Sequence, residues 1–201
     1  MAVIVGNDSD DSLNGTSSAD TIRGRGGNDS LQGFGSADTI LGGKNDDYIF
    51  GGTGADALSG DGEFSTTDQP EKGNDVLIGG SGTDTLFAWG DDILVGAGSN
   101  QFNAQLISDL KNDTFSVAIA ADGKADKFIA VNKDAIDYTL TVVDYEVGVD
   151  LIDLSGFGVF GAGDFAEIQD KGSFFEAKTP EINGGELVLR INVDPASLTY
   201  I

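Results

Sequence analysis

A chain of 201 residues is long enough for one elongated domain or two small ones. With 34 acidic against 11 basic residues the net charge is -23, which argues against nucleic acid and anionic membrane as partners. Cysteine and histidine are both absent, so disulfides, thiol chemistry, Ser-His-Asp and Cys-His catalysis and ordinary zinc sites are excluded together.

The chain opens with MAVIV, an apolar strand that leads straight into the first glycine. Nothing ahead of it can fold over the first coil, so this end is expected to lack a polar cap and to be covered by the C-terminal part or by another molecule. MAVIVGND is too short and too uncharged for a secretory signal peptide. No twenty-residue apolar run occurs, so no membrane insertion is expected.

From Gly6 to Ser59 the sequence repeats every nine residues: GNDSDDSLN, GTSSADTIR, GRGGNDSLQ, GFGSADTIL, GGKNDDYIF, GGTGADALS. Glycine opens each block, and Gly60 opens a seventh. Aspartate is sixth (Asp11, Asp20, Asp29, Asp38, Asp47, Asp56) and a branched aliphatic is eighth (Leu13, Ile22, Leu31, Ile40, Ile49, Leu58). Glycine lets the first six residues of a block curl tightly. The last three extend, with only the middle one reliably apolar, as in a strand with one side chain in and its neighbours out. So short a strand cannot stand alone. Two blocks must make one coil, with coils stacked about 4.8 Å apart over a thin aliphatic core.

Stacking brings the aspartates of alternate blocks together. Bare carboxylates about 4.8 Å apart repel by roughly 3 to 4 kcal/mol at an effective dielectric of 20. Lysine and arginine are too few and out of register to relieve this. A hard divalent cation, held by carboxylates and turn carbonyls, is calcium rather than zinc chemistry.

After Gly60 the pattern lapses through DGEFSTTDQPEK, where Pro70 marks an inserted loop over 61–70. It is either a surface excursion or an added supply of ligands from Asp61, Glu63 and Asp68. Register returns with Asp75 and Asp84 sixth and Leu77 and Leu86 eighth. The nineteen residues from Asp56 to Asp75 exceed a clean coil by one, so stacking is expected to resume there. The next repeat shortens to eight, with Asp92 and Leu94 in the key places and Asn100 where an aspartate is due. Trp89, the only tryptophan, is expected to pack over the end of the roll, with sugar binding as the other reading. The seventh positions, Ser12, Thr21, Ser30, Thr39, Tyr48, Ala57, Val76 and Thr85, are expected to point outward. Their hydroxyls do not persist, which argues against an ice-matching face and leaves sugar binding open.

The blocks resemble the nonapeptide GGxGxDxUx of RTX (repeats-in-toxin) calcium-binding proteins. That resemblance implies an all-β fold, a calcium-loaded parallel β-roll with two repeats per coil. It places several Ca2+ ions between turns eighteen residues apart, held by second- and fourth-position carbonyls and the Asp of one turn and by first- and third-position carbonyls and the Asp of the next. One site would join Asn7, Ser9 and Asp11 to Gly24, Gly26 and Asp29. Opposite it, Thr16, Ser18 and Asp20 meet Gly33, Gly35 and Asp38. The ladders continue with Arg25, Gly27 and Asp29 against Gly42, Lys44 and Asp47, and with Phe34, Ser36 and Asp38 against Gly51, Thr53 and Asp56. The same roles extend to Gly43, Asn45, Gly52, Gly54, Gly60, Gly62, Gly73, Asp75, Gly80, Gly82, Asp84 and Asp92. Non-glycine residues at some positions bear on turn strain more than on ligation, since carbonyls bind there.

Beyond Phe102 glycines thin out and aromatics increase. DGKADKFIAV and YTLTVVDYEVGVDLIDLSGF resemble the segment that closes many RTX rolls, through Asp144, Tyr145, Gly148, Asp150, Ile152, Asp153, Leu154 and Ser155. Its acids could hold one further ion, or Ile152, Leu154 and Phe157 cap the core. GGELVLRINVDP alternates Leu187, Leu189, Ile191 and Val193 with Val188, Arg190 and Asn192 as a half-buried strand, and ASLTYI ends the chain extended. The expected organisation is a roll over 1–102 and a C-terminal β capping region over 103–201 that includes an uncleaved secretion signal. The resemblance implies a bacterial protein exported by type I secretion to the cell surface or medium, folding there on calcium. Its expected role is structural or adhesive, self-assembling into a layer, matrix or filament, with cell-surface polysaccharide as a further partner and no catalysis. The alternatives are a module serving a secreted polysaccharide-active or proteolytic enzyme, or a glycan-binding module.

Overall fold

A computed structural model describes residues 1–62, 73–97, 122–130, 138–180 and 186–201. Asn100, Phe102, Glu63, Asp68 and Pro70 lie outside these described residues, as do Gly184 and Gly185. Strands alternate between two sheets. The first holds β1 (Val3–Val5), β3 (Thr21–Gly26), β5 (Thr39–Lys44), β7 (Ala57–Asp61), β9 (Thr85–Ala88), β11 (Lys127–Ala130) and β13 (Leu151–Asp153), all parallel. The second runs through β2 (Ser12–Asn14), β4 (Ser30–Gly35), β6 (Tyr48–Thr53), β8 (Val76–Ser81), β10 (Ile93–Ala97), β12 (Tyr138–Val142) and β16 (Leu187–Ile191) in parallel. It then turns antiparallel into β15 (Phe175–Lys178) and β14 (Glu167–Asp170). This is a parallel β-roll in which each nine-residue block supplies one strand to alternate sheets.

The register tracks the repeat. Ile22 pairs with Ile40 and Ile40 with Leu58, while Leu31 pairs with Ile49 and Ile49 with Leu77. Eighth-position side chains therefore stack between the sheets. Ile22, Leu31, Ile40, Ile49, Leu58, Leu77, Leu86 and Leu94 are all fully buried, each worth about 1.5 to 3 kcal/mol relative to exposure. Interior strands are longer than the three residues expected. β3 to β6 each span six, from the seventh position of one block to the third of the next. The opening glycine is extended, which confines the turn to positions four to six. The two outermost strands, β1 and β2, keep only three residues each.

Three expectations are corrected. Asp75 does not resume one coil above Asp56. It stacks on Asp47, 28 residues earlier, and Asp84 stacks on Asp56, also 28 residues earlier. The insertion enlarges one half-coil and leaves the alternation of sheets intact. Val76 is not outward-facing in the solvent sense, being 1% exposed. With Phe50, Ile78, Val95 and Val143 it forms a second apolar cluster on the opposite face of the second sheet, where seventh and ninth positions point. Trp89 is buried in the turn between β9 and β10, and β11, β12, β13 and β16 extend the sheets past it, so it does not cover the end.

The expected boundary at residues 102 and 103 falls outside the described residues, and on its far side both sheets continue. Ile152, Leu154, Phe157 and Val159 close the core there, all buried. Tyr145 fastens this closure, its hydroxyl donating to the Asp150 carbonyl at 2.7 Å and accepting from the Thr199 N–H at 2.8 Å. The final residues form a 3-10 turn at Pro195–Ser197 and then a parallel bridge from Tyr200 to Ile152. β16 alternates as the sequence requires, with Leu187, Leu189 and Ile191 buried. Among the described residues no helix is long and apolar enough to cross a membrane.

Candidate calcium-binding ladders

The sixth-position aspartates line up in two ladders, and each carboxylate is held by the coil before it. Oδ1 of Asp29, Asp47, Asp75 and Asp92 accepts the backbone N–H of Asp11, Asp29, Asp47 and Asp75 respectively, at 2.7 to 2.9 Å. On the other side Asp38, Asp56, Asp84, Asp126 and Asp150 accept from Asp20, Asp38, Asp56, Asp84 and Asp126 at 2.7 to 3.0 Å. Ala2 begins that run by donating to Asp20. One oxygen of each carboxylate thus splices two coils.

The other oxygen is left for something else. Oδ2 of Asp29, Asp38, Asp47, Asp56, Asp75 and Asp84 is buried with no hydrogen-bond donor. Six orphaned anionic oxygens in regular register require a cationic explanation. In the first coil they are satisfied locally, Asp11 Oδ2 by the Asn7 N–H and Asp20 Oδ2 by the Thr16 N–H and hydroxyl, each at 2.7 Å.

Backbone of the next coil comes close to most of these Oδ2 atoms. A Cβ on Gly24 would fall against Asp29 Oδ2 and 2.6 Å from the Gly42 carbonyl oxygen. On Gly33 it would meet Asp38 Oδ2 and the Gly51 carbonyl, and on Gly42, Asp47 Oδ2 and the Gly60 carbonyl. Each opening glycine therefore leaves room where a carboxylate and the next coil's carbonyl converge. The same holds for Gly51, with Asp56 and the Gly79 carbonyl, and for Gly79, with Asp84 and the Gly96 carbonyl. The expected ligands do not include Gly79 or Gly96, although Asp84 in sixth place makes Gly79 the opening glycine of its block.

Second and fourth positions behave alike along the stack. Arg25, Phe34, Gly43, Gly52 and Gly80 in second place, and Gly27, Ser36, Asn45, Gly54 and Gly82 in fourth, all have positive φ. Carbonyls of Arg25, Phe34, Ser36 and Asn45 lie against Gly43, Gly52, Gly54 and Gly73 of the next coil. Ser9 faces Gly27 in the same way. Two further expected ligands also accept hydrogen bonds: the Asn7 carbonyl from the Gly26 N–H at 3.3 Å and the Ser18 carbonyl from the Thr16 hydroxyl at 3.4 Å. Third-position Lys44 and Gly62 line a surface pocket instead. The hydroxyl of Thr53 and the backbone of Gly35 approach each other between coils.

Electrostatics point the same way. Burial pushes Asp47 and Asp126 up to about 8, Asp84 to about 7 and Asp56 to about 6. Neighbouring rungs add to the rise, and the ladder hydrogen bonds oppose it. Burial likewise raises Asp92 to about 7, and lifts Asp75 well above the usual carboxylate range. Asp20 moves the other way, lowered by the Thr16 hydroxyl and the Ala2 N–H. Such carboxylates resist ionisation without a counter-ion and fit a hard cation that supplies positive charge.

Asp126 and Asp150 are rungs that the repeat pattern does not assign. They carry a readable signal all the same, since DKF at 126–128 and DLI at 150–152 keep the Asp-x-apolar spacing of DTI at 20–22. In the segment expected to be either a cap or an extra ion site, Ile152 and Leu154 seal the core while Asp126 and Asp150 continue one hydrogen-bond ladder.

The chain matches the RTX calcium-binding nonapeptide repeat family in four copies, over residues 5–33, 32–64 and 71–100. No curated protein matches it. The match covers the coils that carry the regular ladders, and the parallel roll extends them. Over these coils the chain is an RTX calcium-binding repeat protein, and calcium is its cofactor.

Proposed function

We propose that this chain is an extracellular β-roll that folds on meeting calcium outside the cell and serves there as a structural or adhesive element, without catalysis of its own. The observation that carries the reading is the run of buried, donor-less Oδ2 atoms along two ladders. In a calcium-poor cytoplasm their repulsion keeps the chain expanded and fit for export through a type I channel. Calcium outside neutralises the rungs and drives folding. Self-association is supported by the first coil, where β1 and β2 lie at the sheet edges with Met1, Val3 and Val5 exposed. Edges of this kind make head-to-tail contacts that do not close.

Circular dichroism and sedimentation, titrated from chelator to about 10 mM calcium, test both parts. A coil-to-β transition followed by large particles supports a calcium-triggered polymer. A transition that ends in a stable monomer removes self-assembly and favours a module that serves another protein. No transition removes the proposal.

A second reading, binding of an acidic glycan, is favoured by one feature. Arg23, Arg25 and Lys44 gather beside Leu41 around a pocket of about 360 Å³, a concentration of cations in a chain of net charge -23. Retention of the parent chain on a polyuronate column, lost in an Arg23→Gln/Arg25→Gln variant, would support it.

A further inference from the structure

One rung departs from the two-carboxylate plan. Asp61 occupies the second position of its block, where the neighbouring coils offer only a backbone carbonyl, and its side chain turns inward, 1% exposed. One oxygen each from Asp61, Asp75 and Asp92 lie within 4.8 Å of one another, and all three residues are buried. Asp75 and Asp92 are consecutive rungs, with the Asp75 N–H donating to Asp92 Oδ1 at 2.9 Å. Asp75 Oδ2 is buried without a donor, beside the backbone of Gly60, the residue before Asp61. Asp61 Oδ1 accepts the Gly73 N–H at 3.1 Å. That bond joins the two sides of the insertion, which stretches this coil to 28 residues from the 18 of the coil before it.

We propose that Asp61, Asp75 and Asp92 form a three-carboxylate calcium site that binds more tightly than the two-carboxylate rungs and fills first as calcium rises. The inference rests on the function proposed above. Affinity in oxygen-ligand sites rises with the number of ligand charges and the rigidity of their frame, and this site has the extra charge. It also has the frame: ladder hydrogen bonds fix Asp75 and Asp92, and the Gly73 N–H fixes Asp61. Filling it closes the coil that carries this insertion, which seeds the register of the coils stacked on it.

The only tryptophan, Trp89, sits beside this site, its backbone N–H donating to Asp92 Oδ2 at 2.9 Å, which puts its indole within sensitising range. Terbium, a trivalent stand-in for calcium, emits when excited through a nearby indole. In the full chain, emission sensitised at 295 nm should reach half-saturation at least about threefold below the terbium concentration that half-completes the circular dichroism change. Asp61→Asn should move the emission midpoint upward by about tenfold, with bound calcium at saturation falling by no more than one ion. If Asp61→Asn does not fold, the order of the two midpoints in the parent chain still decides: emission that lags the folding signal overturns the proposal. Normal calcium-driven folding with the same emission midpoint in parent and Asp61→Asn overturns the third carboxylate alone. A parent chain that gains no β-structure with calcium overturns the function proposed above and this site with it.

Discussion

Replacing Asp47 by asparagine should have effects of opposite sign with and without calcium. In the metal-free fold burial raises this carboxyl to about 8, against about 3.9 in an unfolded chain. The fold then holds a proton that the unfolded chain releases, so stability falls as pH rises between about 4 and 8. At pH 7 the span is roughly three units at about 1.4 kcal/mol each, a cost on the order of 4 kcal/mol. Asparagine removes it. Its Oδ1 can still accept the Asp29 N–H, now at 2.8 Å. Its Nδ2 replaces a donor-less oxygen beside the Gly60 carbonyl. Asp47→Asn should therefore stabilise the chelated fold by about 2 to 4 kcal/mol. With calcium the same change removes ligand charge, and each tenfold loss of affinity at saturating metal costs about 1.4 kcal/mol. Urea unfolding followed by circular dichroism at pH 7 would read both, with an osmolyte added to the chelated samples to populate the fold. Equal destabilisation in the two conditions would refute the reasoning, because Asp47 would then act through its ladder hydrogen bond alone.

The same geometry sets further outcomes. Asp56, Asp84 and Asp126 are raised to about 6, 7 and 8, so the metal-free chain should hold more β-structure near pH 5 than near pH 8. The calcium midpoint should fall over that interval as calcium displaces fewer protons; circular dichroism titrations at the two pH values check both. Gly52 has φ of 114° and a Cβ there would sit 2.7 Å from the Phe34 carbonyl carbon, so Gly52→Ala should cost about 2 to 3 kcal/mol in calcium-saturated urea unfolding. Phe34 holds φ of 78° and is 41% exposed, and Phe34→Gly should gain about 1 kcal/mol in calcium-saturated melts. A loss there would mean the ring contributes more than the backbone strain costs.

The sequence made the roll legible wherever its register was unbroken. Eighth-position aliphatics from Ile22 to Leu58 are all core, and the aspartates two residues before them are all rungs. Glycine spacing carries that information, and it fails where glycines thin out. Asp126 and Asp150 escape it although their backbone groups continue the ladder. The insertion misleads in another way. A nineteen-residue gap so nearly equals one coil that it pairs Asp56 with Asp75, whereas the added length sits within one half-coil and the true spacing is 28. Burial of Val76 depends on Phe50 and Val95 of the adjacent strands meeting it beside Ile78 of its own strand. Phe50 and Val95 come from other blocks, and only the sheet order brings them together with Val76.

The thin core is what makes the proposed dependence of folding on calcium physically reasonable. Each regular coil contributes two fully buried aliphatic side chains, such as Ile22 and Leu31, together worth about 3 to 6 kcal/mol. Each also stacks two carboxylates on the next coil, and if ionised and bare these repel by about 6 to 8 kcal/mol at an effective dielectric of 20. The two quantities are of similar size and opposite sign, so side-chain burial alone does not carry the stack at neutral pH. Protons or cations must be added, and the ladder makes that addition collective. Asp29 gives its N–H to Asp47, and its Oδ1 accepts the N–H of Asp11, so ordering one carboxylate orders the backbone of the coil before it. The Gly42 carbonyl meets the Asp29 cradle, and the opening glycine of that same block borders Asp47. A rung therefore shares its parts with both neighbours, and the chain folds as a stack or not at all.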